Sequence, residues 1–260
     1  MGVKYDRIGT HYNQTRRADP FIATRLFQLL SANSEGQYVE IGCGTGNYTH
    51  ALANKGLNMM GIDPSVKMLE TAKSISSKID WKIGTAEKTD LTDDSVDGIV
   101  CVLTMHHWTN LNDAFREFSR ILKANGRVVI FTTNREQNKG YWLNHYFPKM
   151  MEKSIEQLPA IVEMEEAMRD AGLRISHAET YVVKDDLEDH FLYCGKNRPT
   201  LYFDEEIRAG ISSFADLANI DEVEAGLLRL EADIKSNEIT QVMKSFSHSW
   251  GDYLFLVARS

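Results

Sequence analysis

The chain is poor in cysteine, in positive charge and in long apolar runs, and each shortage removes a class of function. Its three cysteines, Cys43, Cys101 and Cys194, form no C-x-x-C pair. Neither a disulfide framework nor a zinc knuckle is therefore expected, and no metal site. Cys101 sits in an apolar, strand-like run where a small buried side chain belongs. Lys and Arg number 29 against 37 Asp and Glu, a formal net charge of −8. That balance repels a polyanionic backbone and disfavours nucleic acid as a partner. Apolar runs extend over a handful of residues, as from Ile99 to Leu103, far short of the roughly 20 that a membrane-spanning helix needs. The N-terminus lacks the charged-then-apolar pattern of a secretory signal, and Asp6 stands where a myristoylation motif wants Ser or Thr. The expectation is a soluble, cytoplasmic protein with no membrane partner. Its oligomeric state is not legible, and no internal repeat or low-complexity segment occurs.

What is present is alternation. A chain of 260 residues has room for one α/β core with length left for an insertion. Strand-length apolar segments at Gln37 to Ile41, Asn58 to Ile62, Trp81 to Gly84, Gly98 to Leu103 and Arg127 to Thr133 are separated by helix-period segments. This pattern predicts a parallel sheet with crossover helices. Met68, Ala72 and Ile75 repeat at helical spacing, as do Ala114, Phe118, Ile121 and Leu122. Pro64 suits a first helical position after Asp63, and Asn125-Gly126 supplies a helix-ending turn. Two later strands are expected at Glu179 to Val183 and Tyr253 to Ala258. The last of them completes the core after a detour over residues 186–247 that reads as helical, with an amphipathic stripe of Val223, Leu227, Leu230 and Ile234 behind a capping-box-like Asp221 and Glu224. The expected domains are a core of 1–185 plus 248–260, and a helical lid of 186–247 contributing to the substrate site.

The chemistry is expected in the loop after the first strand, Glu40-Ile41-Gly42-Cys43-Gly44-Thr45-Gly46-Asn47. Glycines there let the backbone turn tightly from strand to helix and approach a ligand where a Cβ would intrude. A dinucleotide fingerprint wants its third glycine three residues after the second, where Asn47 stands, so Gly46 comes one position early for that reading. At the end of the second strand, Asp63 offers a carboxylate that can accept hydrogen bonds from both hydroxyls of a ribose. A helix-capping role for Asp63 is compatible with that task.

With these residues in view, the chain resembles the class I S-adenosylmethionine-dependent methyltransferases, and more narrowly the methyltransferase type 11 family. The resemblance rests on Glu40-x-Gly42-x-Gly44-x-Gly46, Gly61-Ile62-Asp63-Pro64-Ser65, Gly84-Thr85-Ala86-Glu87 and Ser95-Val96-Asp97. It covers about the first half of the chain and the two late strands, and does not reach 186–247. It implies a Rossmann-like methyltransferase fold: an α/β, seven-stranded mixed sheet with helices on both faces and a helical lid or insertion. It further implies S-adenosyl-L-methionine as cofactor, with Glu40, Gly42, Cys43, Gly44 and Gly46 beneath its methionine part. Asp63 would hold the ribose, Thr85, Ala86 and Glu87 would border the adenine, and Pro64, Ser65, Met68 and Leu103 are further expected cofactor contacts. The stretch with Tyr5-Asp6, Tyr12 and Arg16-Arg17 is similar to the family's leading segment, in which a Tyr and an Arg, here Tyr12 and Arg16 or Arg17, would close over the cofactor; an N-terminal helix with exposed arginines is the alternative. An arginine fork suits a carboxylate in a way that lysine does not.

Methyl transfer is an in-line displacement that asks the protein to align an acceptor and exclude water. Where the acceptor must lose a proton, His106 and His107, just past the fourth strand, are the candidate catalytic bases. A role in shaping the pocket is the alternative for both, and Trp108 is expected to pack. Bases in nucleic acid are disfavoured as substrates, because the Asn/Asp-Pro-Pro-aromatic signature of amine methylation is replaced by Leu103-Thr104-Met105-His106-His107. The expected reaction is methylation of a small-molecule substrate at an unresolved O, N or C atom. Two alternatives are an NAD(P)-dependent oxidoreductase and a non-catalytic S-adenosylmethionine-binding protein. Tyr141, Trp142, Tyr146, Phe147, Tyr193, Tyr202 and Phe203 are available to line a substrate pocket, although each is more simply explained by packing.

Overall fold

The computed structural model describes residues 15–33 and 35–260. The elements in chain order begin with α1 (Pro20–Leu30), β1 (Gln37–Ile41), α2 (Asn47–Ala53), β2 (Asn58–Asp63), α3 (Val66–Ile75) and β3 (Asp80–Ile83). After these come β4 (Val96–Val102), a 3-10 turn (Met105–His107), α4 (Leu111–Ile121) and β5 (Leu122–Thr132). Four further helices follow, α5 (Arg135–Lys139), α6 (Leu143–Tyr146), α7 (Pro148–Glu156) and α8 (Ile161–Asp170), before β6 (Arg174–Tyr181). The last part holds a 3-10 helix (Pro199–Phe203), α9 (Glu205–Ala209), a π-helical segment (Ser213–Leu217), α10 (Ile220–Ser236), α11 (Ile239–Ser245) and β7 (Tyr253–Arg259).

The seven strands form one mixed sheet in the order β3-β2-β1-β4-β5-β7-β6. The first five are parallel, and β7 runs antiparallel between β5 and β6. Side chains alternate across a strand, and the core divides accordingly. On one face Val100, Val102, Val129 and Phe131 pack with Ile22 and Leu26 of α1 and Leu52 of α2. On the other, Ile99, Cys101, Val128 and Ile130 pack with Phe115 and Phe118 of α4 and Met164 and Met168 of α8. Helices therefore cover both faces, as a buried parallel sheet requires. Because the chain leaves β1 toward β2 and β3 and then returns to the opposite side of β1 with β4, the strand order reverses between β1 and β4. A crevice opens at that reversal, above the carboxyl ends of the strands.

Several local expectations are corrected. Pro64 is not the first helical residue: the Asp63 carboxylate accepts from the Ser65 N–H (2.9 Å), and Ser65 then caps α3 by accepting from Met68 N–H (3.3 Å). The turn at Asn125-Gly126 does not end a helix. α4 stops at Ile121, so Leu122 opens β5 by pairing with Val96 rather than ending the helix, and Asn125, at φ 67°, lies in a loop-out of β5 before Gly98 pairs with Arg127. The cap of α10 is Asn219, which accepts from Asp221 N–H (2.8 Å), so Asp221 sits inside the helix. β6 starts at Arg174, earlier than its apolar residues suggest, because an edge strand exposed on both faces carries little hydrophobic alternation. Residues 186–198 are turns rather than helix.

Candidate functional site

The loop after β1 is drawn onto the neighbouring strand by its own backbone. Gly42 and Cys43 both donate N–H bonds to Ile62 O (2.8 and 3.0 Å), at the end of β2. Gly42, Gly44 and Gly46 all have positive φ (71°, 54° and 79°), a region that penalises any side chain. Their surroundings differ. A Cβ on Gly42 would collide with the Thr104 hydroxyl, and one on Gly46 with the Trp81 ring, whereas nothing lies within 4 Å of the position for Gly44. Gly42 and Gly46 are thus glycines for packing, and Gly44 keeps a bare backbone against open space.

That space is a cleft of about 480 Å³, the size of a small-molecule site. Gly42 and Gly44 form one side of it, with Asp63, Pro64 and Met68 beside them and Thr85, Ala86 and Glu87 beyond. Leu103, His106, His107 and Arg16 complete the set of expected residues that line it. Glu40, Cys43, Gly46 and Ser65 do not line it and support it from behind. Tyr12 lies outside the described residues.

Asp63 is the hinge of this arrangement. Its Oδ2 accepts from Gly44 N–H (2.8 Å) and its Oδ1 from Ser65 N–H (2.9 Å), so one carboxylate joins the glycine loop to the start of α3. Burial raises its pKa, and the Ser65 and Gly44 N–H groups pull it back. Each carboxylate oxygen retains capacity for another donor. Glu40, 2% exposed, accepts from the Thr49 hydroxyl. Burial pushes its pKa up to about 8, against the lowering effect of Thr49. In the folded protein Glu40 is thus largely protonated at neutral pH.

Glu87 borders the cleft with its carboxylate already engaged. Its Oε1 accepts from Thr109 N–H (2.6 Å), the Thr109 hydroxyl (3.0 Å) and Asn110 N–H (3.1 Å). Burial works to raise its pKa, but these donors from Asn110 and Thr109 outweigh it and hold the carboxyl below its ordinary range. Its visible task is to pin the loop that carries the histidines. Arg16 donates through Nε to Asp189 Oδ1 (2.6 Å) and through Nη2 to Oδ2 (3.4 Å). Asp189, 1% exposed, also accepts from Tyr48 OH (3.1 Å). The segment before α1 is thereby tied to residues beyond β6 and to α2.

The His106 and His107 rings lie 3.8 Å apart between centroids, tilted by 49°, in the 3-10 turn after β4. Leu103, just before them, holds φ 51°, an unfavourable value for leucine that the Leu103 N–H to Phe131 O bond (2.8 Å) helps to fix. Trp108 packs edge-on against Phe115 and Phe118. None of the seven aromatics considered as pocket walls lines the cleft. All but Phe203 are buried in the core, where Tyr141 stacks on Tyr193 at 3.9 Å. Phe191 and Tyr253 line the cleft instead, together with Asn138, Ser154 and Ser213. Spacing gave no signal for Asp189 or Asn138, since their roles arise from contacts across the fold.

Among the described residues, no group of His, Cys, Asp and Glu could hold a metal ion, and no helix is long and apolar enough to cross a membrane.

A family model described as a methyltransferase domain, Methyltransf_11, matches residues 39–130. A solved structure from Anabaena variabilis, described as a methyltransferase from an antibiotic biosynthesis pathway, is 35% identical, with a TM-score of 0.85 over 95% of this chain and 100% of that one. An uncharacterized methyltransferase of Mycobacterium tuberculosis is 31% identical over 134 residues, 52% of this chain. The chain thus spans about half the length of the curated relatives it matches, 55% for this one. A geranyl diphosphate C-methyltransferase from Streptomyces coelicolor, solved with S-adenosyl-L-homocysteine, shares the fold at 17% identity and a TM-score of 0.56, over 91% of this chain and 78% of that one. The nicotinamide alternative finds no support in these matches. From the glycine loop joined to Asp63, the seven-stranded order and the full-length likeness to the A. variabilis structure, the chain belongs to the class I methyltransferases, in the type 11 family.

Proposed function

We propose that the protein transfers a methyl group from S-adenosyl-L-methionine to a small-molecule acceptor bound in the same cleft. The observation that carries this reading is the Gly44–Asp63 junction at the head of an open cleft: bare backbone at φ 54° facing space, beside a carboxylate held by two N–H groups. These residues fit an adenosyl group. Asp63 accepts the ribose hydroxyls, Gly42 and Gly44 pass beneath the methionine part, and Thr85 to Glu87 border the adenine. Arg16, its guanidinium oriented by Asp189, faces the methionine carboxylate. The S-adenosyl-L-homocysteine bound by the S. coelicolor fold neighbour supports this cofactor. The antibiotic pathway of the A. variabilis relative supports a small-molecule acceptor.

When bound, S-adenosylmethionine supplies a methyl group on a positively charged sulfur, open to attack from the side opposite that sulfur. The chain's own work is to hold, align and dehydrate. Phe191, Leu192 and Ile211 give the acceptor half of the cleft an apolar wall. They come from residues 186–247, which act as a lid over the core. His106 or His107 removes the acceptor's proton where an O–H or N–H is methylated.

Calorimetric titration tests the cofactor. S-adenosylmethionine and S-adenosylhomocysteine should each saturate one site at sub-millimolar concentration, and Asp63→Ala should weaken both by about 30-fold or more through loss of charge-assisted bonds. Absence of binding, or unchanged affinity in the variant, contradicts the reading. With an acceptor in hand, one of His106→Ala and His107→Ala should lower turnover about 100-fold at unchanged cofactor affinity. Wild-type rates in both variants remove the base.

A further inference from the structure

The half of the cleft away from Asp63 contains a buried hydrogen-bond acceptor that the fold does not use. Asn138, in α5, is 0% exposed and lines the cleft. Its Nδ2 donates to the Thr133 hydroxyl (2.8 Å) and to Asn134 O (3.4 Å). Thr133 gives its own proton to Asp252 O (3.2 Å). Asn134 O is a carbonyl that can only accept, so turning the amide over would set oxygen against oxygen there. That fixes Oδ1 on the opposite edge, where it has no hydrogen-bond partner among the described residues. Buried polar atoms are nearly always paired, and an orphan on a residue that lines a cavity calls for a partner.

Resting on the methyl-transfer reading, we propose that Asn138 Oδ1 is the specificity contact for the methyl acceptor and receives a hydroxyl or N–H from a neutral, mainly apolar molecule. Leu192 and Ile211 supply the apolar wall around this half of the cleft, and the Ser154 and Ser213 hydroxyls, 3.0 Å apart, give it a second polar point. Among the described lining residues, the permanent charges are Arg16, Asp63 and Glu87, and Arg16 is engaged by Asp189. A carboxylate or phosphate acceptor would set its own oxygens against the Asn138 oxygen, and no lining side-chain cation is committed to it. A donor satisfies that oxygen, whereas an analogue lacking the donor leaves it stranded, which is the strongest form of selection a small site achieves.

The test uses the full chain loaded with S-adenosylhomocysteine and a library of matched aromatic pairs, each an alcohol, phenol or amine beside its O-methyl or N,N-dimethyl counterpart. Dissociation constants come from ligand-observed NMR. Donor-bearing members should bind about ten-fold more tightly than their partners in the wild-type protein. Asn138→Leu, close in shape, should abolish the difference while S-adenosylhomocysteine affinity stays unchanged. Equal binding within pairs, no binding of either member, or a preference that persists in Asn138→Leu overturns the proposal. Should Asn138→Leu not fold, the wild-type comparison alone decides. Failure of S-adenosylhomocysteine to bind would instead strike the cofactor reading, and the same pairs titrated into the unloaded protein would still settle Asn138.

Discussion

Asp63 and Glu40 lie at the ends of adjacent strands, and burial raises the pKa of both. Asp63 gains N–H donors from two residues that favour its charge, whereas Glu40 has only Thr49, through its hydroxyl and backbone N–H, against nearly complete burial. The pH dependence of stability follows from Glu40. Between its ordinary 4.5 and about 8, the folded protein keeps a proton that the unfolded chain has released. Stability from this group is therefore full below that window and is lost as pH rises through it. Glu40→Gln should flatten the decline, and denaturant midpoints across about pH 5 to about pH 8 measure it. An equal slope in the variant would show that Glu40 is ionised throughout. The glycines and Asp63 were legible in the sequence because spacing along two strand ends sets their meeting. Asn138, Asp189 and the left-handed Leu103 were not, because each depends on contacts with residues far away in the chain.

At the scale of elements, hydrophobic alternation located every strand of the sheet, and boundaries failed where local chemistry competes with periodicity. Asp63 turned the chain so that Ser65, not Asp63, caps α3. The exposed edge strand β6 was underestimated for want of an apolar face. α4 shows the pattern at full strength: Ala114, Phe115, Phe118 and Ile121 are all 0% exposed on one stripe, against Ile99, Cys101 and Ile130. Phe118→Ala should cost about 3–5 kcal/mol in denaturant unfolding, because the ring is enclosed by sheet and by Trp108. A cost below about 1 kcal/mol would mean that the site collapses without a cavity. The same helix supplies Glu117, whose Oε1 accepts from Thr89 N–H (2.8 Å), so its seating also steadies the loop after β3 that carries Thr85 to Glu87.

Across the whole molecule, the late segments are bound to the core rather than appended to it. Asp252, fully buried before β7, accepts from Lys196 Nζ (2.8 Å) and Val183 N–H (2.7 Å), and Tyr141 OH donates to its carbonyl. Asp189 makes the corresponding tie to Arg16 and Tyr48. These two carboxylates fix the walls that residues 186–247 present to the cleft, while the strand-order reversal between β1 and β4 fixes its floor. The central claim is that the floor grips one adenosyl ligand and leaves the Asn138 half for the acceptor. A crystal structure with S-adenosylhomocysteine bound tests it most directly. The account predicts both ribose hydroxyls within hydrogen-bond distance of the Asp63 carboxylate and the sulfur facing the space beside Asn138. Density for the ligand elsewhere, or ribose hydroxyls bonded to other residues with Asp63 untouched, would contradict it.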